Sequence, residues 1–294
     1  MKIGIYGQFY HEHSEKYIQL ILDALQNYKT EVFIETNFLE IIRSHKNISN
    51  DFSNMHTFSA LDSTYDFFFS IGGDGTLLKS VTFVRDLDIP IVGINSGRLG
   101  FLATIQKEKV TESIKSILEG HYSVSERSLL SIETVPGNES LQTLNFALNE
   151  IAVNRKNTTS MIKVETKVNG EYLTSYWSDG LIVATPTGST GYSLSCGGPV
   201  IDPDTNSLVI TPIAPHNLNA RPLVIPDDCT ISLQVSGREE SYLVSLDSRI
   251  ATLTNETKIT IKKAPFSIKL VQLLDDSFVK TLRKKLLWGE DKRN

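Results

Sequence analysis

The sequence predicts an α/β domain with a parallel sheet over residues 1–121. A mostly antiparallel β domain follows over 122–275, and the last piece, 276–294, returns to helical spacing. Three observations carry this. Compact apolar runs and amphipathic runs alternate over the first third. After about residue 121, strand-like runs follow one another with few helices among them. Asn169-Gly170, between "KVETKV" and "EYLTSYW", is the strongest short hairpin signal a sequence can offer.

In chain order, "KIGIYG" (2–7) reads as a buried strand. Residues 14–28 form a helix, with Ser14 as N-cap and Tyr17, Ile18, Ile21, Leu22 and Leu25 on one face. "EVFIE" (31–35), "DFFFSI" (66–71) and "LDIPIVGINS" (87–96) are strands. "TLLKSVTFVRDL" (76–87) and "KVTESIKSILEG" (109–120) are helices, the second closed by Gly120. In the second part the strand-like runs are 123–135, 141–155, 161–185, 229–237, 241–248 and 257–264. "DDSFVKTLRKKLLWG" (275–289) is the last helix. "TPIAPHNLNARPLVIP", with four prolines, reads as a loop.

Of the 294 residues, 40% are hydrophobic, and the formal net charge is −5. That balance argues against a broad nucleic-acid footprint, and no block of like charges stands out. An anion bound here is held by local geometry rather than global charge. The two cysteines, Cys196 and Cys229, are far apart and in unlike contexts, so no disulfide framework is expected. The N-terminal apolar run soon meets His, Glu and Lys, unlike a signal peptide, and no run approaches the ~18 residues of a membrane span. A soluble cytoplasmic protein with neither nucleic-acid nor membrane partners is expected. His11 and His13 lack a third ligand at metal-site spacing, and no structural metal is predicted.

Two segments carry candidate chemistry. The first is Gly72-Gly73-Asp74-Gly75-Thr76, between an apolar strand and a helix. Glycines let the backbone approach a ligand closely, and the amides of the following helix N-terminus attract an anion, so this is a phosphate cradle that needs no net positive charge. The spacing is neither that of a Walker loop, since Lys79-Ser80 follows Leu78, nor that of a Gly-x-Gly-x-x-Gly fingerprint. Asp74 is the odd element, because an anion beside phosphates is repulsive unless it works. It suits a base that accepts a proton from an attacking hydroxyl, or a holder of Mg²⁺. The bland alternative is a tight turn in which Asp74 only caps the helix.

The second segment is "YWSDGLIVATPTGSTGYSLSCGGPVI" (176–201), dense in Gly, Ser and Thr. Such a surface suits sugars, amides and phosphates; a plain loop between strands is the alternative. It contains no Gly-x-Ser-x-Gly elbow, which disfavours a serine hydrolase. Asn149-Glu150, inside the strand-like "FALNEIAVNR", needs polar partners if buried. A ribose diol would serve, and an edge strand in water explains the pair equally well.

In this order and spacing the glycine turn, Asn149-Glu150, 179–199, "PHNLNARPL" (215–223) and "GINSGRLGFL" (93–102) resemble the NAD kinase family. The likeness spans 66–250. The first motif alone is shared with diacylglycerol and sphingosine kinases and, loosely, with phosphofructokinases. The resemblance implies an ATP-binding N-terminal domain, an NAD-binding β-rich domain and a final helix that packs back on the first. It implies ATP-dependent phosphorylation of the adenosine ribose 2′-hydroxyl of NAD, a divalent cation (Mg²⁺) carried mainly by ATP, and a homo-oligomer, dimer or tetramer. Carried over by motif, Asp74 is the base, and Gly73, Gly75 and Thr76 shape the phosphate loop. Asn149 and Glu150 bind the adenosine portion, with Glu150 at the ribose. Asp179, Thr187, Thr190, Gly191 and Tyr192 line the dinucleotide site, and Phe101 packs against a base. "VSLDSRI" (244–250) matches the family's acidic turn only loosely, with Asp247-Ser248 where many members have Asp-Gly, and Asp247 and Arg249 receive no role. Gly191 stands where Ala is common. The rival functions are a lipid kinase that uses the same turn, which would need a membrane-facing surface, and a non-catalytic nucleotide sensor.

Overall fold

The structure is a computed structural model and describes residues 1–8, 14–45, 48, 55–97, 99–157 and 160–289. His11, His13 and the Ser14 side chain lie outside the described residues. The chain divides into two compact units, one of Met1–Glu126 with Ile268–Asn294 and one of Arg127–Ser267.

In the first unit, β1 (Lys2–Gly7), β2 (Glu31–Glu35), β3 (His56–Phe58), β4 (Phe67–Gly72) and β5 (Ile91–Asn95) form a parallel sheet in the order β3-β2-β1-β4-β5. The end of the long strand Lys258–Leu273 joins its edge, with Leu270 opposite Ile91. β4 reads Phe-Phe-Phe-Ser-Ile-Gly and is buried at every position, as a parallel strand covered on both faces must be. The helices α1 (Ser14–Gln26), α2 (Thr36–Ser44) and α3 (Asp74–Val84) connect these strands. The strand order reverses between β1 and β4, and α/β sheets hold ligands at the carboxyl ends of the strands at such a point. The Gly72–Thr76 turn leaves β4 at that point.

Sequence patterning missed α2 and β3. Glu35 caps α2, its carboxylate accepting from the Asn37 and Phe38 N–H groups at 3.2 and 2.9 Å. A glutamate that ends a strand is not among the usual N-cap signals. β3 has only three residues, one of them buried. α3 starts at Asp74, two residues earlier than its apolar pattern, because Gly73 is its N-cap.

The second unit holds antiparallel sheets, in accord with the sequence. One runs through Glu171–Ser178, Ile162–Val168, Ile231–Ser236 and Lys258–Leu273. The other runs in the order Leu223–Pro226, Ser207–Ile213, Gly180–Ala184, Glu150–Arg155, Ser241–Leu246, Arg249–Thr254. Alternate residues of both, among them Ile151, Val153, Val164, Leu181, Val183, Leu233 and Ile259, meet in one core. The opposite face of the second sheet is also covered, with Ala152, Ile182, Ala184 and Val209 packed on Ile201. That covering is the 185–201 segment. Asn169 and Gly170 turn at φ +51° and +82° and join Val168 to Glu171, the predicted hairpin.

The stretch read as a loop, 211–226, holds the end of one strand, Ser207–Ile213, and the whole of another, Leu223–Pro226. Ser207–Ile213 contains Pro212, but Leu223–Pro226 pairs only with residues 207–210, so the missing Pro212 N–H interrupts nothing on that side. Pro226 ends an edge strand, where proline is tolerated.

Candidate active site

The first group of site residues belongs to the first unit. Gly72, at φ +157°, brings the backbone so close to Thr76 that an added Cβ would lie 2.2 Å from its Oγ1. Thr76 itself is fully buried, and its hydroxyl donates to Gln8 Oε1 at 3.2 Å, so it braces the turn from within. Gly73 and Gly75 are different. A Cβ on either would meet nothing within 4 Å, so both border open space. The Gly73 carbonyl accepts the Thr76 and Leu77 N–H groups at 3.0 and 3.2 Å. The amides before them, at the head of α3, are those a first turn leaves without internal partners, and they can hold an anion.

Asp74 begins α3 and is half-buried. Its Oδ2 accepts the Phe101 N–H at 2.8 Å, and its Oδ1 accepts the N–H groups of Leu102 and Ala103 at 3.0 and 3.1 Å. Asp74 therefore does not cap its own helix, whose N-cap is Gly73; it holds a second segment. A carboxylate accepts about four hydrogen bonds. With two on Oδ1 and one on Oδ2, the remaining lone pair is on Oδ2. The held segment is tethered from other sides too. The buried Asn95 accepts the Gly97 N–H at 2.8 Å and donates to the Ala103 carbonyl at 3.4 Å. Lys285, on the C-terminal helix Phe278–Leu286, donates to the Leu99 carbonyl at 2.6 Å and lies 5.6 Å from the centre of the half-buried Phe101 ring.

The second group belongs to the second unit. Asn149 and Glu150 enter the strand Glu150–Arg155, which lies inside its sheet, not at an edge. The edge-strand alternative is thereby removed. Glu150 is 9% exposed, and Glu150 Oε2, Asn149 Oδ1 and Thr187 Oγ1 are buried with no hydrogen-bond partner among the described residues. Buried polar atoms without partners are the kind a polar ligand satisfies. Asp247, in the turn before Arg249–Thr254, holds the backbone there. Its carboxylate accepts the N–H groups of Leu148, Asn149 and Glu150 at 3.0, 2.8 and 3.2 Å. Arg249 donates to the Leu144 carbonyl at 2.7 Å and to that of Phe146. The two residues left without a role in the sequence thus fix the turn that carries Asn149 and Glu150.

Burial, aided by the charge of Asp247, pushes the Glu150 carboxyl up to about 7, against the opposing pull of the Tyr192 N–H. Burial likewise raises Tyr192 and Cys196, and each is raised further by the negative charge of Glu150. Tyr192, 39% exposed, begins the short helix Tyr192–Ser195. Asp179, half-buried, pairs with Arg155 at 2.9 Å.

The hydroxyls of 185–201 behave differently from the expected polar surface. Thr185 donates to the Leu148 carbonyl at 2.6 Å and accepts the Gly188 N–H at 3.0 Å. Ser189 bonds Ile201, Ser193 bonds Thr211, and Thr190 donates to the Thr187 carbonyl at 3.1 Å. Most of these groups fold the segment onto the sheet, where a buried hydroxyl must be satisfied. Thr187 is the one hydroxyl of the segment among the orphaned atoms above. The glycines permit close stacking: a Cβ on Gly188 would lie 2.0 Å from the Asn149 carbonyl oxygen, and one on Gly191 3.0 Å from Glu150 Oε2.

A parallel sheet with an acid-bearing glycine turn at its switch point, together with a β unit that presents orphaned polar atoms, defines a nucleotide-binding protein of the α/β-plus-β class. Comparison narrows this. Residues 4–122 match the ATP-NAD kinase N-terminal domain, and residues 148–273 match the ATP-NAD kinase C-terminal domain. The NAD kinases of Christiangramia forsetii and Flavobacterium psychrophilum are 62% and 55% identical over the full length of both chains, and that of Bacteroides fragilis is 41% identical. An NAD kinase from Archaeoglobus fulgidus, solved in complex with ATP, superposes with a TM-score of 0.74 at 27% identity, covering 98% of this chain and 99% of its own. Yeast NADH kinase complexed with NADH shares the fold with a TM-score of 0.84 at 21% identity, over 99% of this chain and 89% of its own. The chain belongs to the ATP-NAD kinase family.

Proposed function

We infer that this chain transfers the γ-phosphoryl group of ATP to the adenosine ribose 2′-hydroxyl of NAD, giving NADP. The observation that carries the chemistry is Asp74: a fixed carboxylate at the head of a helix, one Oδ2 lone pair left, flanked by glycines that border open space. As the 2′-oxygen bonds to the γ-phosphorus and the bridging oxygen leaves with ADP, the hydroxyl proton passes to Asp74 Oδ2 and then to water. Phosphoryl transfer runs through a loose transition state, so aim and charge neutralisation supply most of the rate. The amides at the head of α3 would hold phosphate oxygens. Asn149, Glu150 and Thr187, with their orphaned atoms, would take the adenosine part of NAD, Glu150 at the ribose. Asp179, Thr190, Gly191 and Tyr192 would complete the dinucleotide site, and Phe101 would pack against a base.

Mg²⁺ enters with its substrate as Mg-ATP. A cation carried by the nucleotide is what the family resemblance implies; among the described residues no group of three or more His, Cys, Asp or Glu could hold a metal ion. Among the described residues no helix is long and apolar enough to cross a membrane. A cytoplasmic homo-oligomer, dimer or tetramer, completes the reading, supported by the family resemblance. The test is to mix the purified chain with Mg-ATP and NAD and to read NADP with an NADP-specific dehydrogenase. NAD binding without NADP formation would instead make the chain a sensor.

A further inference from the structure

We propose that the backbone amides of residues 101–103 aim Asp74 at its substrate, and that Gly100 is a positioning residue whose missing side chain makes this clamp possible. The inference rests on Asp74 being the base. A Cβ built on Gly100 would lie 1.9 Å from Asp74 Oδ1, 2.5 Å from its carboxyl carbon and 2.8 Å from Oδ2. No real Cβ sits so close to an oxygen. The Gly100 φ lies outside the left-handed region, so φ does not bar an alanine. The three atoms nearest to that Cβ all belong to the Asp74 carboxylate.

Three converging N–H groups do more than a single hydrogen bond could. One donor leaves a carboxylate free to swing about its Cα–Cβ and Cβ–Cγ bonds. Donors on both oxygens, from three successive residues, fix the plane of the group. They also leave one direction, along Oδ2, in which a proton can be accepted. The segment that supplies them is itself pinned by the buried Asn95 at Gly97 and Ala103 and by Lys285 at Leu99. Precision of this kind matters in transfers governed by geometry, where a displacement of about 1 Å costs on the order of 100-fold in rate.

Gly100→Ala tests this cleanly. The obstructing atoms are the free end of one side chain, so Asp74 swings aside while the backbone stays. The expected result is a fall in kcat of about 100-fold, with the fold intact, a lowered melting temperature as the amides of 101–103 lose their acceptor, and the dissociation constant for ATP unchanged. A double-mutant cycle with Asp74→Asn then decides the route. If Gly100 acts through Asp74, adding Gly100→Ala to Asp74→Asn costs nothing further. Normal kcat in Gly100→Ala overturns the inference, and so do losses that multiply in the double variant. If Asp74→Asn alone turns over at a near-normal rate, the base assignment fails first, which separates the two failures. Loss of folding in Gly100→Ala, read by circular dichroism, would also count against it, since it would show that the backbone and not the carboxylate gave way.

Discussion

Asp74 and Asp247 do the same thing in different units. Each carboxylate takes three successive backbone N–H groups from a segment distant in sequence: residues 101–103 for Asp74 and 148–150 for Asp247. They differ in burial. The Asp247 side chain is 4% exposed, and an arginine stands 4.0 Å away, whereas Asp74 is half-buried beside two glycines that border open space. Burial pushes Asp247 up, while its three amides and then Arg249 favour its charge. A buried clamp can only hold. A clamp with one face open can hold and also accept a proton. Hydrogen bonding alone does not separate a structural aspartate from a catalytic one; access does.

That contrast breaks if the two aspartates respond alike to substitution. Asp74→Asn is expected to lower kcat on the order of 10²- to 10⁴-fold, with NAD still bound and a smaller loss of stability than in Asp247→Ala, because the amide oxygen still accepts part of the 101–103 clamp. Asp247→Ala should do the reverse. It strands three amides in a buried place, and urea unfolding should report a loss of about 3 kcal/mol, with a raised KM for NAD and a smaller effect on kcat. A stable Asp247→Ala with collapsed turnover would mean that the buried carboxylate takes part in chemistry.

The same contrast marks what the sequence could say. Asp74 was legible because three glycines around an acid, after an apolar strand, are costly without a purpose. Asp247 was not, because its work is done on backbone amides ninety-seven to ninety-nine residues away, and backbone leaves no trace in residue type. The α/β and antiparallel halves were legible in periodicity, and the Asn169-Gly170 hairpin in turn chemistry. Residues 207–213 and 223–226 were lost to their prolines, which matter only where a neighbour needs the missing N–H. The hydroxyls of 185–201 looked like a ligand surface because sequence cannot tell a hydroxyl that serves a sugar from one that ties down its own loop.

Glu150 joins the two kinds of aspartate, since it is buried like Asp247 and has an atom free like Asp74. With its carboxyl pushed up to about 7, it is mostly neutral below neutrality. The folded state then holds a proton that the unfolded chain has released. This contribution to stability is present at low pH and is lost as pH rises from the usual carboxylate range through about 7. Ligand binding should run the other way. A ribose hydroxyl donates more strongly to an ionised carboxylate, so the dissociation constant for NAD, measured by calorimetry without ATP, should rise several-fold from pH 8 to pH 6. Glu150→Gln should flatten that profile. Asp247→Asn should move its midpoint to lower pH, because a like charge has been removed. A profile in Asp247→Asn identical to that of the unaltered chain would sink the electrostatic link between the two residues.

The smallest expected effect sharpens the Asp74 side. Lys285 reaches the clamp from the far end of the chain through the Leu99 carbonyl, at 2.6 Å, and over the face of Phe101. Lys285→Met keeps the aliphatic stem and removes the donor. An exposed charge-assisted hydrogen bond contributes about 1 kcal/mol, and only part of that reaches the carboxylate two steps away, so kcat should fall by about two- to fivefold. Arg in its place should restore the rate, since it can donate to the same carbonyl and stack on the same ring. The informative comparison is with Asp74→Asn, where Lys285→Met should have no further effect on kcat. If it lowers turnover there as well, the C-terminal helix acts on substrate binding through Phe101, and the clamp is held by Asn95 alone.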